Sequence, residues 1–167
     1  MATDTTRIRS GAAVWMASLA VMAAGVGAQQ LLDRLVARVN GSPVFLSDVR
    51  AASGFGLIEG TAEREQVRQM VRRQALLGEV GRFPPPEPSA ADIAAEVLRM
   101  KGRVKDASAF QREQGLSELQ VQSLARDSLR IEAYLTQRFG AARPKGTVEE
   151  WMQDLETRAD VVFPRVP

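Results

Sequence analysis

From residue 29 onward, short aliphatic runs give way to longer segments in which apolar residues recur every three or four positions. Leu35-Val36-Ala37-Arg38-Val39 and Val44-Phe45-Leu46 are short and β-prone, and Asn40-Gly41-Ser42-Pro43 between them is a turn signal. They predict a small hairpin that cannot stand alone. Ser47 and Asp48 predict an N-cap and an acidic first turn for a short helix, which Gly54, Gly56 and Gly60 interrupt. Thr61 is placed to cap a second helix running to about Gly81. Val67, Met70, Val71, Leu77 and Val80 form its apolar stripe, and Arg64, Arg68 and Arg72 lie four apart on another face.

Pro84-Pro85-Pro86-Glu87-Pro88 cannot continue a helix and reads as a stiff spacer. Ser89 with Asp92 resembles a capping box. The helix it opens carries Ile93, Val97, Met100 and Val104 on one face. Asp106 caps a short helix that ends at Gly115 and is anchored by Phe110. Ser117 and Gln120 form a capping box for the longest helix, about 117–139, with Gly140 in the C′ position. Its stripe is Val121, Leu124, Ile131, Leu135 and Phe139, with Leu129 and Tyr134 to one side. Thr147 and Glu150 suggest a further capping box, for a helix holding Trp151, Met152 and Leu155. Val161-Val162-Phe163 predicts a last strand, stopped by Pro164. The fold class expected is mostly α, with a small β element made by the N-terminal hairpin and the C-terminal strand, whose pairing would cover an edge.

Residues 1–28 have a different pattern. Arg7 and Arg9 precede an uncharged run from Gly11 to Val26, and Val26 and Ala28 are small residues at the −3 and −1 positions before Gln29. This is the layout of a cleavable secretory signal. It makes 29–167 the working domain and places it in the periplasm, the alternative being an uncleaved inner-membrane anchor. No cysteine follows the apolar run, so no lipid anchor is implied, and stable membrane insertion after cleavage is not expected.

Composition removes most chemistry. The chain of 167 residues has no His and no Cys. A Ser-His-Asp or Cys-His nucleophile, a thiol redox centre, a disulfide framework and the usual zinc sites are therefore excluded. There is no phosphate-cradling Gly-rich motif. The isoelectric point of about 9.5 overstates the basicity. With no His to titrate, a small surplus of charge moves it far. The 22 Lys+Arg against 20 Asp+Glu give only +2, which argues for no nucleic-acid partner. No cofactor or metal is called for.

The run Asp33-Arg34-Leu35-Val36-Ala37-Arg38-Val39-Asn40-Gly41-Ser42-Pro43-Val44-Phe45-Leu46-Ser47-Asp48-Val49 behind a signal-like segment resembles the N-terminal chaperone domain of the SurA family of periplasmic chaperones and parvulin-type peptidyl-prolyl isomerases. Three later blocks are similar in order. They are the helix ending near Glu79 and Arg82; Phe110 with Gln114-Gly115-Leu116-Ser117 and the long helix to Arg138; and Trp151 to Phe163, the 147–163 segment completing the domain. The resemblance covers nearly all of 29–167. It departs where family members carry parvulin domains, since only Gly140 to Gly146 lies there and the histidines of such a domain are missing. It therefore implies the chaperone core without the isomerase: not an enzyme, but an ATP-independent holdase for unfolded outer-membrane or secreted polypeptides. The alternatives are a non-catalytic assembly module forming a homodimer by exchange of the terminal strand and helix, or an isomerase by family name only.

The client-binding candidates are Phe55, Leu57 and Ile58 in the Gly-rich segment, together with Met70, Met100, Phe110 and Tyr134. Flexible apolar residues and adaptable Met side chains suit varied partners. The competing readings are core packing for the Met residues and a loop folded over the helical core for 55–58. The arginines at 64, 68, 72 and 73 are expected on a solvated face with Glu65 and nearby acids. Glu149, Glu150 and Asp154 are explained by helix-terminus electrostatics, and Trp151 by a core role.

Overall fold

The computed structural model describes residues 33–164. The expected signal, 1–28, lies outside them. The order is β1 (Leu35–Val39), β2 (Ser42–Phe45), α1 (Leu46–Gly54), α2 (Glu63–Arg82), α3 (Ala90–Gly102), α4 (Ala107–Glu113), α5 (Glu118–Phe139), α6 (Lys145–Arg158) and β3 (Val161–Val162). The fold is mostly helical, with one antiparallel sheet ordered β2-β1-β3.

The hairpin turns on two residues, Asn40 (φ 50°) and Gly41 (φ 81°), which take the left-handed conformations that a tight two-residue turn requires. Asn40 also ties in the far end of the chain. Its N–H donates to the Asp160 carbonyl at 2.8 Å, and its Oδ1 accepts the Asp160 N–H at 2.9 Å. This sets the register of β3, with Val161 opposite Val39 and Val162 opposite Arg38. The closing strand is thus shorter than expected, and Phe163 lies exposed beyond it. The edge strand β2 carries Pro43, which has no N–H to offer a further strand.

Several helix starts differ from expectation. α1 begins at Leu46, and Asp48 reaches back to accept the Phe45 N–H at 3.0 Å, while Ser47 bonds Asp33 instead of capping. Thr61 lies outside α2, whose N-cap is Ala62. α6 begins at Lys145 after Pro144, so Thr147 sits within its first turn and no Thr147–Glu150 box forms. By contrast, the boxes at Ser89/Asp92 and Ser117/Gln120, the Asp106 cap and the positive-φ Gly140 after α5 are all present.

Two cores result. One packs the sheet, α1 and α2 against the C-terminal half of α5 and α6, around Val39, Val49, Ala75, Val80, Ile131 and Leu155. The other packs α3 and α4 against the N-terminal half of α5, around Phe55, Ile93, Val97, Met100, Val121 and Ala125. α5 serves both, and Leu57 touches both. The proline spacer is held to α5: Pro85 is buried, and the Glu87 carboxylate meets Arg126 at 3.3 Å and Arg130 at 3.7 Å.

Candidate functional site

α3 carries two working faces. Ala90, Ile93, Ala94, Val97, Leu98 and Lys101 share one side of the helix, because these positions recur at helical spacing. Facing them on α5, running antiparallel, are Glu118, Gln122 and Arg126, four residues apart. Between them runs an open groove of about 460 Å³ whose α3 wall is aliphatic. The two alanines keep that wall low. Ile93 and Val97 are buried at its base, and Leu98 stands 71% exposed at its lip.

Charge pairs define the groove ends. Lys101 Nζ donates to both Glu118 oxygens at 3.0 and 2.9 Å, and Gln111 donates to the same carboxylate at 3.3 Å. Those bonds hold the Glu118 carboxyl below its ordinary range. At the other end Arg126 is engaged by Glu87. The charged groups at both ends are thus paired, and the surface left open between them is the apolar wall. Such a groove can hold an apolar segment by burial alone.

On the opposite face of α3, Glu96 and Arg99, with Arg103 just past the helix end, border a recess of about 360 Å³ with Gly56, Leu57, Arg73 and residues of α5. It shares Leu57, Arg73 and Ile131 with a smaller recess of about 190 Å³ that reaches Ile58, Leu76 and Met152. A third concavity, about 210 Å³, lies between α5 and the hairpin–α1–α2 side, with Val44, Asp48, Met70, Leu77, Leu116 and Asp127 in its lining. Burial raises the Asp127 carboxyl above its ordinary value, against the opposing fields of Arg73, Arg130 and Arg126. Burial also raises Asp48, with Asp33 adding to the effect and the Phe45 N–H opposing it.

The structure disperses the seven residues singled out from the sequence. Phe55, Ile58, Met70, Met100 and Tyr134 are buried, so they do not form an exposed client surface. Phe55 and Met100 are fully enclosed in the α3–α4–α5 core, and Phe110 packs edge-on against Phe55 with ring centroids 5.2 Å apart. The Gly-rich segment is folded over the core. Leu57 and Phe110 are partly buried. Of the seven, Met70 lines the third concavity and Leu57 and Ile58 line the paired recesses. Of the four arginines, Arg64 and Arg68 are exposed as expected, whereas Arg72 and Arg73 are half-buried and bridge to other helices. Arg72 ties α2 to α6 through Glu149 at 2.7 Å and Glu156 at 3.0 Å, and Arg73 reaches Ser128 on α5 at 2.9 Å.

Sequence reasoning missed Leu98, because it assigned α3 a single face and Leu98 sits just off it. The signal was there in Ala90 and Ala94, which leave no side chain to cover the wall beside Leu98. Among the described residues no cluster of acidic side chains is set up to hold a metal ion, and no helix is long and apolar enough to cross a membrane. Comparison with protein-family models, with curated proteins and with solved structures finds no match.

Proposed function

We propose that this protein is an ATP-independent holdase of the periplasm, binding unfolded outer-membrane or secreted polypeptides without catalysing a reaction on them. The observation that carries the reading is the open α3–α5 groove, with an aliphatic wall and charge pairs confined to its ends. Burial of apolar client residues there is non-directional, so it tolerates many sequences and needs no cofactor to reverse. The link between α5 and α6, only residues 140–144, supports a non-enzymatic reading, since the resemblance would place an isomerase domain at that point.

The test is aggregation of a denatured outer-membrane protein diluted into buffer, followed by light scattering with and without the purified protein. Suppression at several-fold excess is expected, and its absence overturns the reading. Leu98→Asp should weaken suppression several-fold. Because Leu98 is exposed, the same change should alter stability by no more than about 0.5 kcal/mol.

A further inference from the structure

The recess behind α3 has a charge balance unlike that of the groove. Two carboxylates line it, and each is already neutralised. Glu96 meets Arg99 at 2.5 Å, and Glu132 meets Arg143 at 2.6 Å, which holds the Glu132 carboxyl below its ordinary range. Two guanidinium groups in the same lining bond only neutral oxygens. Arg73 donates to Ser128 Oγ at 2.9 Å. Arg103 donates to the Phe55 and Gly56 carbonyls at 3.3 and 3.2 Å. Among the described residues neither forms an ion pair. Asp127 acts on Arg73 only at longer range, and burial lowers the Arg73 pKa despite it. Each of these arginines keeps donors that the protein does not use, in the fork geometry suited to a carboxylate. Beside them stand Leu57, Leu129 and Ile131, and the trough continues over Ile58 and Met152. An inorganic anion would leave those apolar walls uncovered.

We infer that this recess binds a carboxylate of a polypeptide together with a neighbouring apolar side chain, the carboxylate on Arg73 and Arg103 and the apolar group against Leu57 and Ile131. The inference rests on the proposal that polypeptide segments are what the protein binds, and it adds a polar anchor to that otherwise unselective burial. The carboxylate has two sources in a polypeptide, a chain terminus or an acidic side chain. Charge-assisted bonds of this kind discriminate by about tenfold or more against the neutral amide.

The test uses three short Leu-rich peptides of one sequence: a free C-terminal acid, its C-terminal amide, and an amide with one internal Glu. Binding to the purified protein is measured by fluorescence anisotropy. The acid, the Glu peptide or both should bind at least about tenfold tighter than the plain amide, and added salt should erode that ratio. The stronger of the two identifies the source. Arg103→Gln, which keeps donors for the two loop carbonyls, should bring the acid-to-amide ratio towards one, as should Arg73→Gln. The ratio is internal to each variant, so a general loss of stability does not imitate the result. Equal binding of all three peptides, binding of none, or a ratio unchanged in both variants overturns the inference. Equal binding with aggregation suppression intact removes this inference alone, whereas loss of suppression removes the holdase reading as well.

Discussion

Gly54 ends α1 directly under the Phe110 ring. A Cβ built there would fall 2.1 Å from Phe110 Cζ, well inside contact distance. Near a helix end, Gly→Ala ordinarily gains up to about 1 kcal/mol in propensity. Here the ring must move, and it is held edge-on against the fully buried Phe55. Overpacking of this kind costs about 1–3 kcal/mol, so it outweighs the gain. Gly54→Ala is therefore expected to destabilise the protein in urea unfolding. In a Phe110→Ala background the same change should become neutral or stabilising, because the clash is gone. Additive effects of the two substitutions would show that the ring does not set the requirement for glycine.

At the scale of elements, the starts that were legible in the sequence are those written locally. Ser117 Oγ accepts the Gln120 N–H and Gln120 Oε1 accepts the Ser117 N–H at 2.8 Å, and the same reciprocal pattern opens α3. Removing the Ser117 hydroxyl should cost about 1 kcal/mol in chemical denaturation, as N-cap losses do. Thr147→Ala tests the contrast. Thr147 has the same apparent motif but no capping role, and it should stay within about 0.5 kcal/mol. The start of α6 was illegible because tertiary contacts decide it. Arg143, at φ 39°, is pinned to α5 through Glu132 and Thr136, and that bond delivers the chain into Pro144 and Lys145. The apolar stripes were readable only in part for a related reason. Ala75 and Ala125 are buried where helices approach closely, and an alanine gives little periodic signal. The candidate site was less legible than the fold. Large apolar residues such as Phe55 and Met100 look like binding groups in a sequence, and packing places them in the core. The groove depends instead on small residues and on which face of α3 the neighbouring helix leaves open.

At the scale of the whole molecule, the two cores meet along α5 across a seam that holds half-buried charge. Asp127 and Asp48 have carboxyl groups raised above their ordinary value of 3.8, chiefly by burial. Between that value and the raised one the folded chain binds more protons than the unfolded chain, so these groups make stability rise as pH falls from neutral into that window. Glu118, Glu132 and Glu149 act in the other direction. Their carboxyls are held below the ordinary 4.5 by Lys101, Arg143 and Arg72 respectively. What they contribute is present above 4.5 and is lost as pH falls through their lower folded values. All three are exposed, so screening keeps their share small. The urea midpoint is therefore expected to climb on mild acidification before it falls in stronger acid. Asp127→Asn isolates the seam's part in this. Asn imitates the protonated carboxyl, the form the folded state favours, even though it also removes the Asp127 charge from beside Arg73, because burial outweighs that attraction in setting the raised value. The variant should be more stable than wild type at neutral pH and should show a flatter climb. A lower midpoint at neutral pH, or an unchanged climb, would mean that the charge on Asp127 holds the two cores together through Arg73 and that its burial is not the dominant cost.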